Sequence, residues 1–115
     1  MLPNHGLIYL ANFVVDMRKS IDGLSFLVCS HLKENPANGA LYVFFNRHRN
    51  KVKILYWDRN GFCLWYKRLE RQRFKLPKPN DQVYRLETHQ LEWLLSGLDF
   101  SKLQGHRSLE YSVFC

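Results

Sequence analysis

Between Arg47 and Lys78 the chain reads RHRNKVKILYWDRNGFCLWYKRLERQRFKLPK. Eleven of these residues are Lys or Arg, and only Asp58 and Glu70 oppose them, so this stretch carries +9 and the other residues −2 of the formal +7. Guanidinium and ammonium groups at this density, with Tyr56, Trp57, Trp65 and Tyr66 between them, suit a polyanion. Cations hold phosphates, and aromatic rings stack on unpaired bases. Arg47, Arg49 and Lys51 fall at a turn between two expected strands, from which side chains reach a phosphate backbone. Lys67, Arg68, Arg71 and Arg73 follow where the next strand ends, with Lys75 just beyond. These seven, Arg47, Arg49, Lys51, Lys67, Arg68, Arg71 and Arg73, are the candidate nucleic-acid contacts. The plain alternative is a solvated cationic face with the aromatics in the core. Arg18 and Lys19, beside Ser20 at an expected helix start, form a smaller candidate for a phosphate; its alternative is an ordinary helix-entry turn.

Other chemistries find less support. Metal-dependent phosphoryl transfer needs clustered carboxylates. The acids available are Asp16, Asp22, Asp58, Glu70, Asp81 and Glu87. Asp16 and Asp22 flank a helix start and read as capping residues, Asp58 as a turn residue, and Glu70 as the partner of a neighbouring Arg. The histidines, His5, His31, His48, His89 and His106, are scattered and form no HxxxH pair. Cys63 lies in an expected strand with no activating neighbour and reads as buried. No catalytic residue, metal or cofactor is expected. The three cysteines, Cys29, Cys63 and Cys115, are widely spaced, odd in number and contain no CxxC, which argues against a disulfide framework or a zinc ribbon. The apolar run from Leu7 to Val15 lacks a basic flank and is too short to cross a bilayer. The expectation is a cytoplasmic protein with no membrane partner.

The elements that must position the cations follow from periodicity and punctuation. With 115 residues, 46% hydrophobic and 15% aromatic, the chain suffices for one domain with a real core. Leu7 to Val15 reads as a strand. Ser20 is a helix N-cap, Asp22 sits in the first turn, and Ile21, Leu24, Leu27, Val28 and Leu32 recur at helical spacing, predicting a helix from Ile21 to about Lys33. Asn35-Pro36-Ala37-Asn38-Gly39 is a loop. Strands are predicted over Leu41–Phe45, Lys51–Trp57 and Phe62–Leu69. The last two are joined at Asn60-Gly61, the strongest short hairpin signal. With that central pair Tyr56 faces Trp65, Ile54 faces Lys67 and Val52 faces Leu69, while Lys53, Leu55, Trp57, Leu64, Tyr66 and Arg68 take the other face. Val83 to Leu86 is a short strand, and Thr88 caps a second helix with Leu91, Leu94, Leu95 and Leu98 on one face and Gly97 at its end. The fold class is α+β: an antiparallel sheet of four or five strands with two helices packed on one face. Residues 1–100 form a single domain and 101–115 a C-terminal tail.

Several blocks together resemble a known family. They are Asp16-Met17-Arg18-Lys19-Ser20-Ile21-Asp22-Gly23-Leu24; Asn35-Pro36-Ala37-Asn38-Gly39-Ala40-Leu41-Tyr42-Val43-Phe44, continuing to Asn46-Arg47; Lys53-Ile54-Leu55-Tyr56-Trp57-Asp58; Gly61-Phe62-Cys63-Leu64-Trp65-Tyr66-Lys67-Arg68-Leu69-Glu70 with Phe74 and Pro77; and the leucine helix Leu91 to Leu95 with Gly97, Leu98 and Asp99. In this order they resemble the TnpB accessory protein of IS66 insertion sequences, which is distinct from the RNA-guided nucleases sharing that name. The resemblance covers about residues 7 to 100. The chain departs from the pattern at Gln72, where Gly is common, at Val15, where a small polar residue is common, and beyond Phe100. The resemblance implies an accessory role in transposition beside a separate, larger transposase. Joined to the charge pattern, it gives two expectations: a non-enzymatic DNA-binding helper whose basic hairpin region touches phosphates, or an adaptor docking on the transposase through Trp57, Phe62 and Tyr66.

Overall fold

A computed structural model describes residues 6–98. Along it run β1 (Ile8–Val14), α1 (Ile21–Ser30), β2 (Leu41–Phe45), β3 (Lys51–Asp58), β4 (Gly61–Arg68), β5 (Val83–Leu86) and α2 (Thr88–Leu95). The apolar alternation and the Gly, Pro and Asn breaks set these elements close to where the sequence predicts them. The first helix ends sooner than expected, at Ser30. Lys33 takes a left-handed φ of 60° just beyond and turns the chain out. Ser20 does stand at the N-cap, but its hydroxyl makes no capping bond. The cap of α2 is Glu87 and not Thr88: Gln90 Oε1 accepts the Glu87 N–H at 2.8 Å in a capping box. At its other end Gly97 (φ +90°) closes a Schellman turn, with Gly97 N–H donating to the Leu94 carbonyl and Leu98 N–H to the Trp93 carbonyl.

The fold is α+β, with one five-stranded sheet in the order β4-β3-β2-β1-β5. Its ladders are antiparallel except one: β1 and β2 are parallel. Parallel neighbours need a long crossover, and α1 lies in that connection. The two helices cover opposite faces, which corrects the expectation that both pack on one. All five residues of β2 are buried, so each face of its pleat must be covered. Tyr42 and Phe44 point to the α1 side, where Leu24 and Val28 meet them. Leu41, Val43 and Phe45 point to the α2 side, against a core that includes Leu91 and Leu94. Phe74 joins the α2-side core at 2% exposure, edge-on to Phe45 with ring centroids 5.2 Å apart. Such a pair adds about 0.5–1.5 kcal/mol beyond its burial and pins the segment after β4 to the sheet.

The β3–β4 hairpin corrects the expected register by two residues. Asp58 pairs with Gly61, Tyr56 with Cys63 and Ile54 with Trp65, so Arg59 and Asn60 form the turn. Arg59 itself takes the left-handed conformation, at φ 59°, that the Asn-Gly signal assigned one step later. A two-residue slip leaves every side chain on its face. Val52, Ile54, Tyr56 and Trp65 accordingly share the α2 side, while Leu55, Phe62 and Leu64 share the α1 side. The expected tail, 101–115, lies outside the described residues.

Candidate nucleic-acid interface

Strand alternation sends Lys51 and Lys53 of β3, and Tyr66 and Arg68 of β4, to the α1 side of the sheet. The ladder sets Lys51 directly opposite Arg68, and Lys53 opposite Tyr66. At the near end the β2–β3 turn is stapled by one side chain. Asn46 Oδ1 accepts the N–H groups of Asn50 (3.1 Å) and Lys51 (3.0 Å), and its Nδ2 donates to Asn50 Oδ1 (2.7 Å). That leaves Arg47 and His48 exposed at the tip. The segment between β1 and α1 forms the opposite wall. Lys53 Nζ fastens it by donating to the Met17 and Lys19 carbonyls, each at 2.8 Å.

Between these walls lies an open groove of ≈ 960 Å³. Arg18, Arg47, Lys51 and Lys53 line it, with His48, Leu64 and Tyr66. Asp16 is the one acid in the lining. It is held by Arg18, whose Nη2 lies 2.7 Å from Oδ2 and whose Nε is within 3.1 Å of both carboxylate oxygens. The Arg18 side chain and backbone N–H hold the Asp16 carboxyl down at about 2. Asp16 therefore stays ionised at every ordinary pH and is offset by Arg18, and Arg47, Lys51 and Lys53 leave the lining with an excess of cationic side chains.

The seven predicted contacts divide. Arg47 and Lys51 line the groove, and Arg68 stands on the same sheet face opposite Lys51, its Nε 3.1 Å from Glu70 Oε2. Arg71 and Arg73 are exposed in the segment after β4. That segment passes the β2–β3 turn, since Leu69 N–H donates to the Asn50 carbonyl and Phe74 N–H to the Arg49 carbonyl. Arg49 and Lys67 are turned to other work. Arg49, left-handed at φ 59°, directs its guanidinium inward. Nη2 donates to Asn12 Oδ1 (3.2 Å) and the Pro77 carbonyl (3.3 Å), and the carbon of the guanidinium sits 5.9 Å from the Phe45 ring centroid. Nη1 is buried with no hydrogen-bond partner among the described residues, and burial pulls the guanidinium pKa below its usual value. Asn12, itself fully buried, completes this clamp by donating from Nδ2 to the Lys78 carbonyl at 3.0 Å. Lys67 points to the α2 side, where Nζ donates to the Leu95 carbonyl at 3.0 Å. It satisfies a free C-terminal carbonyl of α2 and complements the helix dipole.

Lys53 was absent from the seven, yet it carries one wall of the groove. Its signal was parity: it alternates onto the same face as Lys51. The aromatic candidates narrow sharply. Tyr56 and Trp65 pack on the α2-side core. Trp57 and Phe62, both half-buried, pack edge-on against each other with centroids 5.0 Å apart, on the same sheet face as Tyr66. Tyr66 is 48% exposed on the groove wall.

The acids weighed for catalysis are dispersed: Asp22 lies in the first turn of α1, Glu70 pairs with Arg68, and Glu87 caps α2. Among the described residues no three His, Cys, Asp or Glu side chains gather closely enough to hold a metal ion. Among them, too, no helix is long and apolar enough to cross a membrane.

Comparison with known proteins agrees with the sequence blocks. The family described as IS66 Orf2 like protein matches residues 7–105. Two curated relatives come from Sinorhizobium fredii (strain NGR234). The uncharacterized protein y4hO is 37% identical over 102 residues, covering 87% of this chain and 89% of its own. The uncharacterized protein y4jC is 32% identical over 103 residues, covering 89% of this chain and 88% of its own. No solved structure matches the chain significantly.

Proposed function

The chain belongs to the IS66 Orf2-like family of transposition-associated accessory proteins, and from that premise we propose that it is a non-enzymatic helper that holds DNA phosphates in the cationic groove. The observation that supports this reading is convergence. Arg47, Lys51 and Arg68 come from a turn and two strands to one sheet face, joined there by Lys53 and Arg18 across the groove. The acid among the lining residues is neutralised by Arg18. Arg71 and Arg73 extend the surface past the β2–β3 turn, whereas Arg49 and Lys67 support the fold.

Phosphate contacts release counterions, so binding weakens linearly in log salt. Three contacts, from Arg47, Lys51 and Arg68, give a slope of about −2 on a single strand and about −2.7 on a duplex. Fluorescence anisotropy of labelled DNA between 20 and 200 mM salt measures it. Replacing Arg47, Lys51 or Arg68 singly with Gln should lower the slope by about 0.7 to 0.9 each. No binding at 20 mM, or an affinity indifferent to salt, overturns the reading.

A second reading, docking on the transposase, is favoured by Phe26, which stands 71% exposed on the outer side of α1. Large exposed apolar side chains anchor protein interfaces. Capture of purified transposase in nuclease-treated solution, lost with Phe26→Ala and kept with Lys51→Gln, would place the partner there instead.

A further inference from the structure

We infer that the groove accepts an unpaired strand, with phosphates on Arg47, Lys51 and Arg68 and one base stacked on the ring of Tyr66. This rests on the phosphate reading above and names the form of nucleic acid.

Three observations carry it. The cations on the floor are recessed: Lys51 is half-buried, and Lys53 is tied to the Met17 and Lys19 carbonyls. A duplex is read by elements that project into its grooves, a helix or a ribbon. Lys51 lies on the floor of the groove while Arg47 and Arg68 are exposed above it, so a rigid duplex resting on the rim misses Lys51, while a flexible strand reaches all three. The volume, ≈ 960 Å³, is that of a small-ligand cleft and suits a few nucleotides. Lastly, Tyr66 is an aromatic ring standing 48% exposed beside those cations. Lys53 Nζ lies 5.7 Å from its centroid and fixes the ring by a cation–π contact. A positive groove with an aromatic platform is the pattern of sequence-tolerant single-strand binding. Tyr56 and Trp65 pack on the α2-side core and Trp57 is not among the groove's lining residues, so Tyr66 is the aromatic ring the groove offers for stacking.

The test compares a ten-nucleotide thymidine oligomer, an abasic oligomer of equal length and a blunt duplex, each fluorescently labelled, by anisotropy at 50 mM salt. The wild-type chain should bind the thymidine oligomer more tightly than the duplex. Tyr66→Ala should weaken that binding roughly 5- to 150-fold, the range for one stacked base, without altering the salt slope. Tyr66→Phe should bind like wild type. On the abasic oligomer the wild type and Tyr66→Ala should be equal. Lys51→Gln should lower the slope on both oligomers. Equal or tighter duplex binding, or a Tyr66→Ala variant unchanged on the thymidine oligomer, overturns the single-strand inference while leaving phosphate contact standing. Failure of all three probes at low salt overturns the phosphate reading itself. Competition by a poly-glutamate peptide as strong as by the thymidine oligomer also overturns the inference, because the groove would then be a site for acidic peptides. Circular dichroism of each variant verifies folding.

Discussion

Reversing one charge in the groove should strengthen the fold and weaken its grip on DNA. Lys51 and Arg68 are directly opposed in the β3–β4 ladder. Opposed residues have Cβ atoms about 4.5–5.5 Å apart, and like charges there are destabilising. With the charge centres about 7 Å apart in a water-like medium, the repulsion is about 0.6 kcal/mol, falling to about half that near physiological ionic strength. Glu70 draws Arg68 aside and offsets part of it. Lys51→Glu turns repulsion into attraction, a swing of up to about 1 kcal/mol at low salt. For a domain of this size that raises the melting temperature by up to about 4 °C, and by about half as much at 150 mM salt. The assay is thermal denaturation by circular dichroism at 10 and 150 mM salt, paired with DNA anisotropy. The variant should melt higher, by more at low salt, while its affinity for DNA collapses and Lys51→Gln falls between on both measures. A lower melting temperature that is the same at both salts would refute the electrostatic account of this pair. Undiminished DNA binding would refute the groove.

Three further outcomes follow from contacts already described. Asn12→Ala strands the Lys78 carbonyl and one Arg49 donor inside the protein, at a cost of about 2–4 kcal/mol in urea unfolding; with Arg49→Met the two changes should be strongly non-additive, because both break the same clamp. Lys67→Ala removes the bond to the Leu95 carbonyl and should cost about 0.3–1 kcal/mol of stability with no change in DNA affinity or salt slope. Asp16 has its folded pKa depressed to about 2, so the Asp16–Arg18 pair contributes above the ordinary carboxylate range and is lost as pH falls through about 2; the Asp16 carboxyl carbon followed by NMR should show its midpoint near 2, and in Arg18→Gln the midpoint should move up toward the usual value.

Much of the fold was legible because the period-2 and helical patterns are strong. Leu41–Phe45 and Val83–Leu86 coincide with the predicted strands. The relation between elements was harder. Five consecutive apolar residues in β2 are the mark of a strand covered on both faces, and that signal places the helices on opposite sides. The parallel pairing of β1 with β2 depends on where the crossover returns, which no local pattern encodes. The hairpin register slipped because Arg59, an ordinary residue, took the left-handed turn position that Asn and Gly usually fill. At the candidate site, strand parity alone separates Lys51, Lys53 and Arg68 from Lys67. Lys67 shares its face with Ile54, and Ile54 is fully buried, so its inward role follows once that face is known to be the α2 side. Arg49 was illegible: its inward course depends on its own backbone twist and on Asn12, thirty-seven positions away.

The position of β1 governs the order in which the molecule can assemble. It leaves the ribosome before β2, β3, β4 and β5, yet it lies inside the sheet between β2 and β5. Its pairing with β5 joins residues more than seventy positions apart, Ala11 with Val83 and Ile8 with Leu86. Ends so distant meet slowly, whereas the β3–β4 hairpin closes within microseconds. Until β5 is synthesised and docks, the outer edge of β1 stays open beside a mostly apolar strand, so newly made chains are most prone to aggregation in that interval.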